Sequence, residues 1–342
     1  MNAYERVMNR LSGRPTDRLP NMGLTMMFAA REAGVSYGQF CSDHRALARG
    51  ALLCYEKYGI DMVCAISDPM REAEGFGAKV IIEEDRVPYC REKRVTDVSD
   101  IDTLRAIDPS SGRRMTDRVE AVRLLKGEVG RDAPVIGWVE GPMAESCDLM
   151  GVQEFMMLLL DEPEASRRLM DICLDQAQRF ALAQIEAGAD MIGVGDAVSS
   201  LIGPGLYRDF AFPYQRMLID HIHAAGARVK LHICGNLNPV LDQVSLTGAD
   251  IIDLDYMVDM ERAAGIFPQT VSICGCFDPV RVVYQGDPAL ARSAVRRCAA
   301  IAPRNRCIIA PGCEIPKDTP PQNVLAIHDA IVELANEASP CQ

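Results

Sequence analysis

Ala227-Arg228-Val229-Lys230-Leu231-His232-Ile233-Cys234-Gly235-Asn236 reads as an apolar strand that stops in a turn. Gly235 and Asn236 break the extended run, so His232 and Cys234 sit at its C-terminal end. Residues two apart on a strand point to the same side. An imidazole and a thiolate on one face are two ligands of a zinc site. A third must come from elsewhere. Cys313 is the best placed, in Ile308-Ile309-Ala310-Pro311-Gly312-Cys313-Glu314-Ile315-Pro316, a second apolar run ending in a turn.

Outward from this stretch, short apolar runs alternate with helical periodicity. Residues 250–254, 271–274 and 307–310 read as strands, with helices near 239–246, 257–264 and 288–300 between and beside them and a closing helix over 321–335. In the other direction, 189–194 is a strand between helical stretches at 152–187, broken at Pro163, and 204–225. Residues 135–139 and 60–66 are strands, and a helix over 43–58 ends at Gly59. A first strand over 19–27 is weakened by Pro20, Asn21 and Gly23. Residues 78–89 read as a β-hairpin insertion turning at Glu84-Asp85. Strand–helix–strand repetition implies parallel strands with right-handed crossovers. About eight such strands predict an α/β fold, a (β/α)8 TIM barrel, as a single domain over 1–342. N-terminal segments and the hairpin insertion are expected near the barrel mouth. An open doubly wound sheet is the alternative, but no Gly-x-Gly-x-x-Gly follows any strand.

Composition narrows the function. The chain has 342 residues, 48 acidic against 36 basic, for a formal net charge of −12. No basic cluster stands out, which disfavours nucleic acid as a partner. No apolar run is long enough to cross a membrane, and the N-terminus lacks the apolar core of a signal peptide, so a cytoplasmic location is expected. The thirteen cysteines lie mostly inside apolar segments, and an odd number cannot pair completely. They read as buried residues of a reducing compartment.

In a barrel, functional groups gather where strands end. Those ends carry Glu140, Asp196, His232, Cys234, Asp255 and Cys313. His232, Cys234 and Cys313 are the expected metal ligands. Glu140, Asp196 and Asp255 are the candidate catalytic acids, placed to orient a substrate or to act as a weak fourth ligand. Cys276 and Glu314 are alternatives near the same face. Cys274, His221, His223 and His328 read as structural. Three protein ligands with a fourth position open is the pattern of catalytic zinc. Two thiolates and a neutral imidazole leave the ion with no net charge. Such a site suits holding a substrate thiol as a nucleophile better than acidifying water.

These residues carry a resemblance. Over nearly the whole chain, from Asp17-Arg18-Leu19-Pro20 to about Leu334, the sequence resembles the uroporphyrinogen decarboxylase superfamily. Within it, it is similar to the zinc-dependent corrinoid methyltransferases. The matching motifs are Glu140-Gly141-Pro142, Asp196-Ala197-Val198-Ser199-Ser200 with Ile202-Gly203-Pro204, His232-Ile233-Cys234-Gly235-Asn236, and Ala310-Pro311-Gly312-Cys313-Glu314-Ile315-Pro316. The resemblance implies zinc held by His232, Cys234 and Cys313. It also implies methyl transfer between a corrinoid (methylcobalamin-like) group on a partner protein and a small acceptor, a thiol or a folate. It further suggests a place in C1 metabolism and leaves open whether the chain forms a homodimer. The true decarboxylases carry an Arg-rich N-terminal motif, and nothing like it precedes Arg31, which disfavours decarboxylation of a polycarboxylate. Relatives have Gly-Asn before the Asp-Pro after the seventh strand, whereas this chain has Cys276-Phe277 before Asp278-Pro279. That departure bears on the acceptor. A zinc-stabilised barrel that only docks a corrinoid protein is the non-enzymatic alternative.

Overall fold

The structure, a computed structural model, describes residues 1–338. Among the described residues nine strands occur: β1 Val63–Cys64, β2 Val80–Ile81, β3 Tyr89–Cys90, β4 Val135–Glu140, β5 Met191–Gly195, β6 Arg228–Ile233, β7 Ile251–Leu254, β8 Ser272–Cys274 and β9 Cys307–Ile308. Seven form one parallel sheet in the order β1-β4-β5-β6-β7-β8-β9. The order never reverses, so there is no switch point of a doubly wound sheet. Strands β4 and β5 are buried at every position, as a parallel sheet covered on both faces requires.

The eighth place in the ring is taken by almost nothing. The expected strand over 19–27 contributes a single bridge, Asn21 to Ile309. Ile309 N–H donates to the Pro20 carbonyl, Met22 N–H to the Ile309 carbonyl, and Asp61 N–H to the Asn21 carbonyl, so backbone bonds still link β9 to the segment before β1. The strand stops there for local reasons. Pro20 has no N–H to give, the Asn21 N–H goes to the Asp61 carboxylate at 2.8 Å, and a helix begins at Met26–Ala33.

The hairpin forms as expected, with β2 and β3 antiparallel and Val80 opposite Cys90. Its turn reaches the mouth: Asp85 accepts from Lys317 Nζ at 2.7 Å, and Lys317 lies four residues after Cys313. Among the described residues no helix is long and apolar enough to cross a membrane, and every described cysteine is free.

One close contact in the barrel wall sets up the site. A Cβ on Gly193 would lie 2.2 Å from Cε3 of Trp138, so the indole lies flat against bare backbone. Gly193→Ala is therefore expected to destabilise by roughly 1–3 kcal/mol through overpacking. A lowered urea midpoint with unchanged slope would show it; an unchanged midpoint would mean that the ring has room to move.

Candidate metal centre

His232 is on β6, and Cys234 follows where the strand gives way to the turn. Gly235 has φ +93°, a conformation that a side chain rarely adopts, and its N–H donates to Asp255 Oδ2 at 2.9 Å. Asp255 Oδ1 also accepts from Met257 N–H, so this carboxylate pins the loop that carries Cys234. Cys313 comes in from the other side of the mouth. A Cβ on Gly312 would lie 2.4 Å from the Tyr256 nitrogen, and Gly312 N–H donates to the Phe277 carbonyl at 2.8 Å. Only glycine lets the Cys313 loop approach this closely.

The three expected ligands meet. Cys234 Sγ and Cys313 Sγ are 3.7 Å apart, Cys313 Sγ and His232 Nε2 3.8 Å, and His232 Nε2 and Cys234 Sγ 2.9 Å. A tetrahedral zinc with ordinary bond lengths needs about 3.8 Å between sulfurs and about 3.6 Å between sulfur and nitrogen. Two edges fit, and the third needs a small outward turn of the Cys234 side chain. Among the described residues this is the one set of three or more His, Cys, Asp or Glu side chains with ligand atoms all within 4.8 Å. The donor set and its spacing fit zinc.

The protons are unevenly shared. The hydrogen bond from Cys234 and the nearby imidazole outweigh burial and hold the Cys313 thiol down to about 4. The same sulfur pair pushes Cys234 far up. Burial works against protonation of His232, but Asp253 and Cys313 outweigh it and raise the ring to about 10. Cys313 thus carries the negative charge, while the other two ligands keep protons that a cation would displace.

Sequence reasoning missed the groups behind the ligands. Asp253 lies opposite His232 in the register between β6 and β7, and its Oδ2 is 2.9 Å from His232 Nδ1. This fixes the ring with Nε2 toward the sulfurs, the usual support of a metal-bound histidine. The same Oδ2 pairs with the wholly buried Lys230. The signal was available: Lys230 and His232 are two apart on one strand, and an acid occupies the matching place on the next.

The candidate acids separate. Asp196 is buried and fully engaged, accepting from Ala144 N–H at 2.9 Å, Ser199 Oγ at 2.7 Å and Gln215 Nε2 at 2.7 Å. It holds the loops after β4 and β5 together. Asp255 holds the Cys234 turn. Glu140 accepts from Trp138 Nε1 at 3.1 Å and remains at the mouth, its carboxyl pushed well above the usual range by burial and by Glu72. Glu314 is raised to about 7 by burial and then by Cys313, and it stands outside the ligand set. Cys276 is likewise outside the set, and Cys274 is in the core. His223, which reads as structural, pairs with Asp250 at 2.8 Å. His328 is half-buried beside Gly59, its Nδ1 without a partner.

A family model described as uroporphyrinogen decarboxylase (URO-D) matches residues 2–334. The chain is 29% identical over 326 residues to a methylcobamide:CoM methyltransferase MtbA of Methanosarcina mazei, covering 94% of each protein. It is 25% identical over 345 residues to a uroporphyrinogen decarboxylase of Syntrophotalea carbinolica, covering 96% of this chain and 97% of that one. A solved structure described as a methyltransferase from Methanosarcina mazei superposes with a TM-score of 0.90 at 22% identity, over 98% of this chain and 99% of the other. That likeness bears out the barrel.

Proposed function

The chain belongs to the uroporphyrinogen decarboxylase family, and within it we propose that it is a zinc-dependent methyltransferase, moving a methyl group between a corrinoid on a partner protein and a small thiol. The observation that carries this reading is the meeting of His232, Cys234 and Cys313 at the open end of the barrel. The relatives named as methylcobamide:CoM methyltransferases support it. Bound zinc would supply a place where a thiol sheds its proton yet stays nucleophilic.

The chain's own residues do the rest. Cys234 and Cys313 supply two sulfurs, and His232, aimed by Asp253, supplies one nitrogen. Asp255 and Asp196 are positioning residues that fix the two loops. Glu140, with Trp138 beneath it, lines the way in for the acceptor. The corrinoid approaches from the mouth, where the hairpin turn and the Lys317 loop meet. A decarboxylase reading is weaker, because buried carboxyls of Glu72, Glu140 and Glu145 would face a polycarboxylate. We place the reaction in the cytoplasm and in one-carbon metabolism.

The test is anaerobic incubation of zinc-loaded protein with free methylcobalamin and a thiol. The expected result is loss of the methylcobalamin spectrum, gain of cob(I)alamin and formation of an S-methyl thioether. Methylation of tetrahydrofolate but of no thiol would replace the thiol reading with the folate one. No demethylation with any acceptor would remove the activity altogether.

A further inference from the structure

Two sulfurs outside the metal centre meet at the wall of a cavity. Cys276 lies in the loop after β8, and Cys298 is on the helix Pro288–Ile301. Both line a cavity of about 680 Å3, together with Tyr256, Phe277, Arg281 and Arg297. Cys276 is partly exposed, whereas Cys298 is only 3% exposed. The Cys276 thiol hydrogen-bonds to the Cys298 sulfur, and the Cys276 N–H donates to that sulfur as well. The first of these bonds, then the second and the Arg297 cation, outweigh burial and hold the Cys298 thiol below its usual range. Burial pushes up the remaining described thiols outside the metal centre, Cys41, Cys54 and Cys173 among them. A thiolate is the reactive form of cysteine. Outside the metal centre, this pair is where the described residues favour one.

The Cys276 loop is tied to the metal centre. Phe277, the next residue, forms a bridge with Pro311, and its carbonyl accepts the Gly312 N–H at 2.8 Å. Cys313 follows directly. On its other side the loop has no slack, because a Cβ on Gly275 would lie 2.5 Å from the Leu254 carbonyl oxygen. The helix that carries Cys298 is the firmer partner. Its Arg292 and Arg296 pair with Glu333 and Glu337 of the closing helix Pro321–Ala338. Sulfurs in hydrogen-bonding contact must come closer to share a bond. Closure therefore draws the Cys276 loop toward the helix and pulls on Phe277.

We propose that Cys276 and Cys298 form a thiol–disulfide exchange site for small organic disulfides, and that closing it loosens the metal centre through Phe277 and Gly312. Cys276, the sulfur that the cavity exposes, takes the incoming disulfide. Its proton passes to Cys298, its sulfur bonds to one sulfur of the disulfide, and the incoming S–S bond breaks. One thiolate leaves and takes a proton from water. Cys298 then gives up its proton and attacks the Cys276 sulfur, and the second thiolate leaves to be protonated in turn. The chain loses two protons and two electrons, and the small disulfide becomes two thiols. The exchange stands apart from the methyl-transfer reading, but its effect on the metal rests on the zinc in that reading.

The probe is bis(2-hydroxyethyl) disulfide, which is neutral, given to anaerobically purified, zinc-loaded protein. Peptide mapping without reduction is expected to show one new cross-link, between the peptides of Cys276 and Cys298. In Cys298→Ser the reaction should stop at a mixed disulfide, with 2-mercaptoethanol held on Cys276. Zinc affinity, measured by competition with a chelator, should fall roughly tenfold or more in the cross-linked protein and return on reduction with a phosphine. Cys276→Ser given the same treatment should keep the affinity it has untreated. A map without the Cys276–Cys298 cross-link overturns the exchange site, and so does a cross-link between Cys234 and Cys313 in its place. A Cys276–Cys298 cross-link that leaves zinc affinity unchanged overturns the link to the metal centre. If the untreated protein holds no zinc, the metal reading falls, and the peptide map alone decides the exchange site.

Discussion

Cys313→Ala is expected to arrive without its metal and without activity. Zinc should fall from about one per chain to below about a tenth, because two remaining ligands on one short segment make a weak site. Nothing nearby can replace the sulfur. Gly312 is wedged against the Tyr256 backbone, so the loop cannot slide to offer another donor. Glu314, the adjacent acid, is buried and stands outside the ligand set. Cys234→Ala should behave alike, whereas Cys276→Ala should keep its zinc. Elemental analysis of anaerobically prepared proteins checks all three. Full zinc in Cys313→Ala, or its loss in Cys276→Ala, would move the site elsewhere. Acidity adds a second reading of the same centre. A cation must displace protons from His232, which is raised to about 10, and from Cys234, which is raised further, while Cys313 is already a thiolate. Apparent zinc affinity should therefore climb with pH, by up to ~100-fold per unit where both protons are released. A flat profile between pH 6 and 8 would contradict that proton count.

The parts of this molecule that were legible in the sequence obey local rules. A βα alternation needs only periodicity and strand-ending turns. The His232 and Cys234 pair needs only the two-residue repeat of a strand. Cys313 was found because glycine and proline mark the end of its run. The first strand was misjudged because its fate depends on a distant group: the Asp61 carboxylate takes the Asn21 N–H that a ladder would have used. The acid behind His232 was missed for a similar reason. Asp253 lies on β7 and Asp255 just past its end, two positions on, yet one meets His232 and the other meets Gly235. Which acid does which depends on the register of β6 against β7, and no local pattern states a register. Glu72, Glu145 and Asp148 lie on helices after β1 and β4, where a sequence shows ordinary helical acids. Only the packing of those helices over the mouth buries them together.

Asp253→Asn separates support of the metal from support of the fold. In the unaltered protein burial works against the Asp253 carboxylate, but Lys230 and His232 outweigh it and hold it down to about 2. A folded-state value below the unfolded one near 3.8 stabilises the protein above about pH 4. That share, roughly 2 kcal/mol, is lost as pH falls toward 2. The Asn substitution removes the charge at neutral pH as well. It leaves the Lys230 ammonium buried without a counter-charge, which should cost about 3–5 kcal/mol. It also leaves His232 with a neutral partner at Nδ1. An amide oxygen can still accept that N–H, so the ring stays oriented, but it makes the imidazole a poorer ligand. Zinc affinity should fall about 10–100-fold. The two effects come apart in Asp253→Asn/Lys230→Met, where no buried ammonium remains. Urea unfolding should then recover most of the lost stability, while competition with a chelator still reports the weakened zinc. If the second substitution restores affinity along with stability, Asp253 serves Lys230 and the fold alone. If Asp253→Asn binds zinc as tightly as the unaltered chain, the carboxylate has no part in holding the ligand, however near His232 it lies.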